Sequence, residues 1–353
     1  MKTQHLTKLN AELSAAAPRL LPSLRVLRAT AAPALGRSSE AGLVIEAQAP
    51  TGRVHRLWLD VRTEASPGRM AEAARRLKTA AATRGYPMIA SRFLSARMRQ
   101  LVREAGVGYL DLAGNCRVHI GDLYIEKVVD HNPFPRRGRP ASLFTPISSR
   151  IVRAVLEEPK RLWQVQELAS AADVSLGHAS AVCHRLSDEA YAEWAQRRLR
   201  LRQPALLLDA WREQPAPAPA PQTLAYYSFE RESARLMRRV SAAAARHHLR
   251  HAMTSFAAAS VIAPFVRGVS AVCWYIDDAL HADRWVRALD LRPVDAGANA
   301  LMTIAPDAGV WYRAHAVRGV TVVGSVQLYL DLCAEPSRGR EQAEFLRQKV
   351  LKY

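Results

Sequence analysis

Ser175-Leu-Gly-His-Ala-Ser-Ala-Val-Cys-His-Arg-Leu186 is the stretch that decides the fold. Its serine is a favourable N-cap, so a helix is predicted from Leu176 to Glu189. Apolar residues recur along it at the spacing of one helix face: Ala179, Val182, Cys183 and Leu186. The outward face then carries short, polar or cationic residues: Gly177, His178, Ser180, Ala181, His184 and Arg185. Such a face suits a helix that lies in the major groove of duplex DNA.

Two shorter helices are predicted immediately before it. The first has an N-cap in Ser148-Ser149 and an apolar stripe formed by Ile151, Val155 and Leu156. The second runs from Gln164 to Ala172, and Asp173-Val-Ser175 then breaks the pattern as a turn. Three helices at these spacings predict a helix-turn-helix. The alternative is a three-helix module that binds only protein.

Two segments after the third helix, Tyr191–Trp194 and Arg197–Arg202, alternate in the manner of a β-hairpin. Alternation places Leu199 and Leu201 on one face of the second strand and arginines on the other. A basic strand beside a recognition helix favours contact with phosphates, so the hairpin is interpreted as the wing of a winged helix-turn-helix. The residues predicted to contact DNA in this module are Gln164, Ser175, Gly177, His178, Ser180, Ala181, His184, Arg185, Arg197, Arg198, Arg200 and Arg202.

The charge of the chain favours a polyanionic partner. Its 50 Lys and Arg exceed its 32 Asp and Glu, which gives a net charge of +18. A bias toward Arg and Ala codons would also raise the charge, but the clusters at the wing and at Arg136-Arg-Gly-Arg139 argue against bias as the whole cause. With 353 residues, 49% of them hydrophobic, the chain can form two or three domains with separate cores.

Several functional classes are not expected. The four cysteines lie far apart without a CxxC pair, so neither a zinc knuckle nor a disulfide framework is indicated. Pro18 and Pro22 interrupt the N-terminal apolar run before it reaches the length of a signal peptide, and no stretch approaches the ~20 apolar residues of a membrane span. The chain is expected to act in the cytoplasm, without a membrane partner, metal or cofactor.

The N-terminal region, residues 1–131, alternates between strands and helices. A helical stripe from Leu6 to Leu27, divided by Pro18 and Pro22, precedes a predicted hairpin at 42–48 and 54–62. Helices are predicted at 70–84 and 95–104, and strands at 86–91, 116–120 and 123–129. The alternation resembles the core of the PD-(D/E)xK nuclease superfamily. There, a strand carrying an acid, one spacer and a Lys joins an upstream acid to hold a metal ion that activates water.

The residues on the equivalent strand depart from that pattern. The strand reads Leu59-Asp-Val-Arg62, and an arginine stays protonated where a lysine could exchange a proton. The upstream acid would be Glu46 or Glu40, and a second set, Asp111, Glu126 and Lys127, lacks the one-residue spacer. We therefore expect a degenerate scaffold without enzymatic activity. The alternative is a metal-dependent DNA nuclease, targeted by the winged helix, that uses Glu46 and Asp60 or Asp111 and Glu126.

Two linkers flank the winged helix at residues 147–212. Residues 132–146 are rich in Pro and Gly. Arg136, Arg137 and Arg139 make this linker either an arm that binds the minor groove or backbone, or an ordinary solvated hinge. Residues 213–222 form a stiff Pro-Ala spacer.

Residues 223–353 show an α/β pattern, with predicted strands at 223–229, 250–254, 271–276, 300–304, 309–312 and 321–323. His251–Ser260 followed by Val272–Asp278 is similar to the opening of a minimal nucleotidyltransferase fold, whose active members use a Gly-Ser turn and paired carboxylates that hold magnesium. Here Ser255-Phe256 replaces Gly-Ser, and Asp277 and Asp278 would point to opposite faces. A non-catalytic version is expected. His247 and His251, four apart at one helix end, lack a recognisable third metal ligand.

Four segments carry a resemblance to one family: Gly108-Tyr-Leu-Asp-Leu-Ala-Gly-Asn115, Leu143–Val152, Trp163–Ala169 with Val174–Gly177, and Ser325–Leu332. They look like the AbiEi-type regulators, the antitoxins and transcriptional regulators of type IV abortive-infection toxin-antitoxin systems, in a longer form with an extra N-terminal domain. The resemblance spans most of residues 86–351. It implies a bacterial DNA-binding regulator whose C-terminal domain opposes a nucleotidyltransferase toxin. Members of the longer form also include free-standing DNA-binding proteins, so an antitoxin role stays open.

The expected fold is therefore α+β and multidomain. It combines a degenerate nuclease-like α/β domain, a central winged helix-turn-helix and a C-terminal minimal nucleotidyltransferase-like α/β domain. The expected function is sequence-preferring binding of double-stranded DNA by a homodimer, because a single winged helix buries little surface on DNA.

Overall fold

The computed structural model describes residues 2–32, 41–63, 67–81, 84–121, 123–129, 133–134, 142–214, 220–266 and 268–353. Contacts divide the chain into two compact units, Met1–Arg139 with His184–Ala192 and Pro140–Cys183 with Glu193–Tyr353. The described residues form helices and three β-sheets, so the protein is of mixed α and β class, as predicted. The domain boundaries given above stay predictions.

The N-terminal unit is a seven-stranded sheet with helices on both faces. Its elements are α1 (Lys2–Leu20), β1 (Arg25–Ala32), β2 (Ala41–Gln48), β3 (Val54–Arg62), α2 (Pro67–Ala80), β4 (Tyr86–Ser91), α3 (Ala96–Glu104), β5 (Gly108–Asp111), β6 (Cys116–Ile120) and β7 (Leu123–Lys127). The strands lie in chain order, and β3, β4 and β5 are parallel while the other pairs are antiparallel. The hairpin predicted at 42–48 and 54–62 is confirmed.

Alternation along β3 separates two cores. Leu57, Leu59 and Val61 are buried against α1, whereas Trp58 packs with the apolar faces of α2 and α3 on the opposite side of the sheet. Asp60 and Arg62 follow Trp58 at even spacing, so they lie on the α2 and α3 side. Both are buried.

The expected division of the N-terminal helix by prolines is wrong. One helix runs to Leu20 with Pro18 inside its last turn, where the missing N–H removes a single hydrogen bond, and Pro22 lies beyond the helix end. The continuation of the helical stripe to Leu27 is also wrong, because Arg25–Ala32 pairs with β2 as an edge strand. Leu27 is 49% exposed and therefore belongs to no core.

The central module has the predicted three helices and hairpin. Its elements are α4 (Pro146–Glu157), β8 (Leu162–Trp163), α5 (Val165–Ala171), α6 (Leu176–Asp188), β9 (Ala192–Ala195), β10 (Arg198–Leu201) and α7 (Pro204–Arg212). β10 lies between β8 and β9 in a three-stranded sheet. The predicted N-cap at Ser148-Ser149 is wrong: the helix begins at Pro146, whose fixed φ suits a first helical position, and Thr145 precedes it.

The C-terminal part contains β11 (Thr223–Tyr227), α8 (Ser233–His247), β12 (His251–Thr254), α9 (Ser255–Ile262), β13 (Val272–Ile276), α10 (Ala282–Leu289), β14 (Arg292–Pro293), β15 (Ala300–Ile304), β16 (His315–Val317), β17 (Val320–Val322), α11 (Ser325–Ala334) and α12 (Gly339–Leu346). The strand order is β14-β11-β15-β13-β12-β17-β16. β12 is antiparallel to β13, and β13 is parallel to β15. Alternation on β13 sends Trp274 toward Trp285 of α10 and Tyr275 toward Asp331 of α11, so helices cover both faces.

One predicted strand, at 309–312, is wrong. Ala308–Trp311 is a short 3₁₀ helix, and the Asp307 side chain accepts a hydrogen bond from the Gly309 N–H at its start. Of the apolar residues that suggested a strand, Val310 is buried, whereas Trp311 and Tyr312 are half-buried. No helix in the described part of the chain is long and apolar enough to cross a membrane.

Candidate nucleic-acid interface

The helix α6 has the amphipathic form that its sequence predicts. Ser175 Oγ accepts the backbone N–H of His178 at 3.2 Å, which is an N-cap. The residues of the predicted inward face are fully buried: Ala179, Val182, Cys183 and Leu186. On the other face Gly177 and His184 are exposed, while Ser180, Ala181 and Arg185 are half-buried.

His178 is held by the first helix of the module. Its Nε2 lies 3.1 Å from Ser148 Oγ, and Thr145 Oγ1 donates to the same hydroxyl at 2.9 Å. A contact between His178 and a base would therefore use the other ring nitrogen. Ser148, which the sequence suggested as a helix cap, instead orients His178 on the face of α6 that is predicted to contact DNA.

Arg185 forms an ion pair on its own helix. Its Nε lies 2.6 Å from Glu189 Oε1, four residues further along, and both side chains are half-buried. A phosphate or guanine would have to share or displace this carboxylate. Gln164 is exposed at the N-terminus of α5, where its backbone N–H donates to Glu167 at 3.1 Å.

The wing turns through two residues in left-handed backbone. Gln196 has φ 48° and Arg197 φ 62°, between β9 and β10, as in a type I′ hairpin turn. Arg197, predicted as a strand residue, is therefore the exposed tip of the wing. Asn and Gly are the usual residues in such a turn, so an arginine here carries backbone strain.

The remaining wing arginines follow the predicted alternation, opposite the buried Leu199 and Leu201. Arg198 donates to the Leu162 carbonyl at 3.4 Å, which ties it to β8. Arg200 and Arg202 share Glu193, at 3.8 and 3.6 Å. These exposed pairs contribute at most about 1 kcal/mol each, so a phosphate can replace the carboxylate at little cost. The linker residues Arg136, Arg137 and Arg139 lie outside the described residues.

The acids proposed for a nuclease centre on β2 and β3 are not brought together. Arg62 donates to Asp60 Oδ2 at 2.8 and 3.1 Å, which pairs this carboxylate inside the protein. The strand register places Gly42 opposite Asp60 and Glu46 opposite Arg56, whose Nη2 lies 3.0 Å from Glu46. Glu46 is thus four residues, about 13 Å, along the strand from the level of Asp60. Glu40 lies outside the described residues.

The second set of acids has structural partners. Asp111 is fully buried and accepts hydrogen bonds from Leu94 N, Gly114 N, Asn115 N and Asn115 Nδ2 at 2.7 to 3.0 Å. Burial raises the pKa of Asp111. Asn115 Oδ1 in turn accepts from Arg99 at 2.7 Å. The Asp111–Asn115 segment therefore closes the β5–β6 turn, while Glu126 bonds to Tyr109 and Tyr124.

The candidate centres of the C-terminal part are likewise occupied by local bonds. Asp277 lies 2.9 Å from His281 Nδ1, and Asp278 caps a 3₁₀ turn through Leu280 N. Ser255, the first residue of α9, has φ 54° and donates to Glu335, and Thr254 donates to Asp331. Burial raises the pKa of Asp331 to about 6. Two acidic side chains thus accept hydrogen bonds from the hydroxyl groups of this turn.

The expected placement of His247 and His251 on one helix end is wrong. α8 ends at His247, and His251 lies on β12, where Ser241 Oγ is 3.1 Å from its Nε2. Burial lowers the pKa of His251 to about 4. Within the described ranges, no group of three or more His, Cys, Asp or Glu side chains is arranged to hold a metal ion.

Sequence reasoning missed the contacts between α4 and the C-terminal part of the same unit. Arg153, on the inward face of α4, donates to Gln327 Oε1 at 2.6 Å, and its guanidinium lies 5.1 Å from the centre of the Trp211 ring. Glu157 accepts the Val326 N–H at the start of α11 at 2.7 Å. The only sequence signal was a cation within the apolar stripe of the first helix. These contacts fix α4 against the C-terminal part of the same unit.

The comparisons with known proteins bear on this same domain. Residues 200–352 match a family model. It is AbiEi_2, described as "Transcriptional regulator, AbiEi antitoxin, Type IV TA system". The match implies a transcriptional regulator or antitoxin, and it covers less than half of the 353 residues. No curated protein matches the chain.

One solved structure, "Structure of EndoMS in apo form", is similar over 30% of this chain and 45% of that chain, with 10% sequence identity. Its TM-score is 0.21, so the likeness carries no argument about fold or function. The chain aligns with less than half of that protein.

Proposed function

We propose that this protein is a sequence-preferring DNA-binding transcriptional regulator that acts as a homodimer in the cytoplasm. The observation that carries the proposal is the module of α4, α5, α6 and the β9–β10 hairpin, with every predicted inward residue of α6 buried. α6 would enter the major groove, and the wing arginines would contact phosphates. The match of residues 200–352 to a regulator and antitoxin family supports the regulatory role.

We further propose an antitoxin role in a type IV toxin-antitoxin pair. The matched residues cover the C-terminal part, which would oppose a nucleotidyltransferase toxin. A neighbouring gene for such a toxin, and rescue of its toxicity by this chain in cells, would support this role. Full repression of its own promoter without any such gene would favour a free-standing regulator.

Neither flanking scaffold would be an enzyme. The order α1-β1-β2-β3-α2-β4 is compatible with a PD-(D/E)xK-like core, and α8-β12-α9-β13-α10-β15 with a minimal nucleotidyltransferase-like core. The pairing of Asp60 with Arg62 and of Ser255 with Glu335 supports non-catalytic versions of both. The alternative hypothesis is that the protein is a metal-dependent DNA nuclease targeted by the winged helix. Nicking of plasmid DNA with magnesium or manganese that disappears in Asp60→Ala would establish it.

The test of DNA binding is a gel-shift salt titration on the protein's own upstream duplex and on a scrambled duplex of equal length. The variant replaces Arg198, Arg200 and Arg202 by Gln. Its control replaces Lys8, Arg19 and Arg28 by Gln, which removes the same charge from exposed positions on α1 and β1. Each lost phosphate contact makes the slope of log affinity against log salt shallower by about 0.9. The slope of the wing variant, which lacks three arginines, should therefore be shallower than that of the native chain by up to about 2.7.

Tighter binding to the upstream duplex, with a shallower slope only in the wing variant, supports the proposal. Equal slopes for the wing variant and the native chain remove the wing from the interface. No shift of either duplex at low salt overturns DNA binding altogether.

A further inference from the structure

The helices α2 and α3 present a basic surface on the N-terminal unit. They pack side by side on one face of the seven-stranded sheet. Arg75, Arg76 and Lys78 are exposed on α2, and Arg103 is exposed on α3. These four residues, with the half-buried Arg97, are called the α2–α3 surface below.

The cations of this surface are only partly neutralised. Glu72 pairs with Arg76, and Arg97 donates to Gln100 at 3.1 Å. In the described part of the chain, no carboxylate lies within ion-pair distance of Arg75, Lys78 or Arg103. Lys78 reaches over the turn after α3, since a Cβ on Gly106 would lie 2.8 Å from its Nζ. The ammonium group therefore brings the charge of α2 to the end of α3.

The other face of the same sheet is different. α1 covers that face. From His5 onward, where the side chains of α1 are described, its exposed residues are mostly neutral (His5, Thr7, Ala11, Ala15 and Pro18), with Lys8 and Arg19 well separated. A general excess of arginine in the chain would charge both faces alike. The five cations of the α2–α3 surface outnumber the exposed Glu72 and Glu104 on the same helices, whereas α1 has two exposed cations among its described side chains, so the described positive charge is greater on the helical pair.

We infer that the α2–α3 surface is a second nucleic-acid contact, one that holds the backbone of duplex DNA without reading its sequence. Its cations lie on two neighbouring helices, with Arg75, Arg76 and Lys78 on α2 and Arg97 and Arg103 on α3, so they form an array and not a single row. Phosphates repeat regularly along both strands of a duplex and fit such an array. This gives the N-terminal unit a role in affinity although Asp60 is paired with Arg62. The inference takes only the choice of duplex DNA as polyanion from the proposed function.

The test uses the full chain and the scrambled duplex, where sequence reading does not contribute. The variant replaces Arg75, Lys78 and Arg103 by Gln, which keeps helix propensity nearly unchanged. Its matched control is the Lys8, Arg19 and Arg28 triple, which has the same formal charge on the opposite face and edge of the sheet. Each of these two triple substitutions is also combined with the three substitutions of the wing variant. The slope of log affinity against log salt is measured for each protein, and thermal unfolding checks the fold.

We expect the α2–α3 variant to have a slope shallower by about 2 to 3, with and without the wing arginines, and the control to keep the slope of its parent. Lys78 and Arg103 lie in the last turns of their helices, where they also favour the helix dipole. That structural role would lower the melting temperature without changing the slope. Equal slopes for variant and control overturn the inference.

The experiment distinguishes a failure of this inference from a failure of the proposed function. If only the wing variant has a shallower slope, the regulator proposal stands and this inference falls. If only the α2–α3 variant does, the winged helix loses its assigned role while this surface keeps its own. Vesicles containing anionic lipid serve as the second polyanion. Binding to vesicles that the α2–α3 variant loses, with an unchanged duplex slope, assigns the surface to membranes and overturns the inference.

Discussion

At the scale of single residues, the partners of Asp60 distinguish the two hypotheses for the N-terminal unit, a non-catalytic scaffold and a metal-dependent nuclease. Arg62 donates twice to its carboxylate, and the register keeps Glu46 opposite Arg56. The substitution Arg62→Lys gives β3 the order of acid, one spacer and lysine that active nucleases of this superfamily have, and it keeps a cation beside Asp60. We predict that this variant still fails to nick plasmid DNA with magnesium, because the second acid stays about 13 Å away along the strand. Nicking that a further Asp60→Asn change abolishes would show that a metal centre can assemble there.

A second residue-scale prediction concerns the buried His251, whose pKa lies at about 4. Its pKa in the unfolded chain is near 6.5, so the unfolded state binds the proton first as the pH falls. Relative to His251→Gln, the native chain should lose up to about 3 kcal/mol in the free energy of unfolding as the pH falls from 6.5 to 4. Urea unfolding at a series of pH values measures the difference.

Asp331 provides the control of opposite sign. Its pKa is raised to about 6, so its contribution to stability is present below about pH 4 and is lost as the pH rises through 6. Asp331→Asn should remove that loss. A difference between native chain and His251→Gln that does not change with pH would contradict the assignment of a buried neutral histidine.

At the scale of elements, the turn of the wing carries backbone strain, because Gln196 and Arg197 adopt left-handed conformations that glycine would adopt more easily. Arg197→Gly places the residue that tolerates left-handed backbone at the tip, so the free energy of unfolding should stay equal or rise by up to about 1 kcal/mol. DNA affinity should nevertheless fall, with a salt slope shallower by about 0.9. Gln196→Gly relieves the same turn without a change in charge and should leave the slope unchanged. Equal slopes in both variants would show that Arg197 makes no phosphate contact.

The elements that the sequence predicted well have periodic apolar residues. α6 repeats its buried residues at helical spacing, and β10 alternates Leu199 and Leu201 with arginines. β1 was missed because its one leucine, Leu27, continues the helical spacing of Leu20 and Leu24, and only pairing with β2 makes it a strand. The 3₁₀ helix at Ala308–Trp311 was missed because its start depends on one local bond to Asp307.

At the scale of the whole molecule, the mixed α and β class followed from the sequence, but the contacts between distant segments did not. The bonds from Arg153 to Gln327 and from Glu157 to Val326 join residues about 170 positions apart, and no local pattern signals them. The resemblance drawn from the sequence spans residues 86–351, whereas the family match covers 200–352. For the winged helix and Asp111–Asn115, the resemblance therefore stays a prediction.

The measurement that tests the central claim most directly is a hydroxyl-radical footprint of the native chain on its own upstream region. A dimeric winged-helix regulator predicts two protected half-sites whose centres lie about 10 base pairs, or a multiple of that, apart, with protection that a scrambled duplex lacks. Uniform protection of both duplexes, or none at concentrations that give a gel shift, would contradict sequence-preferring binding by this module.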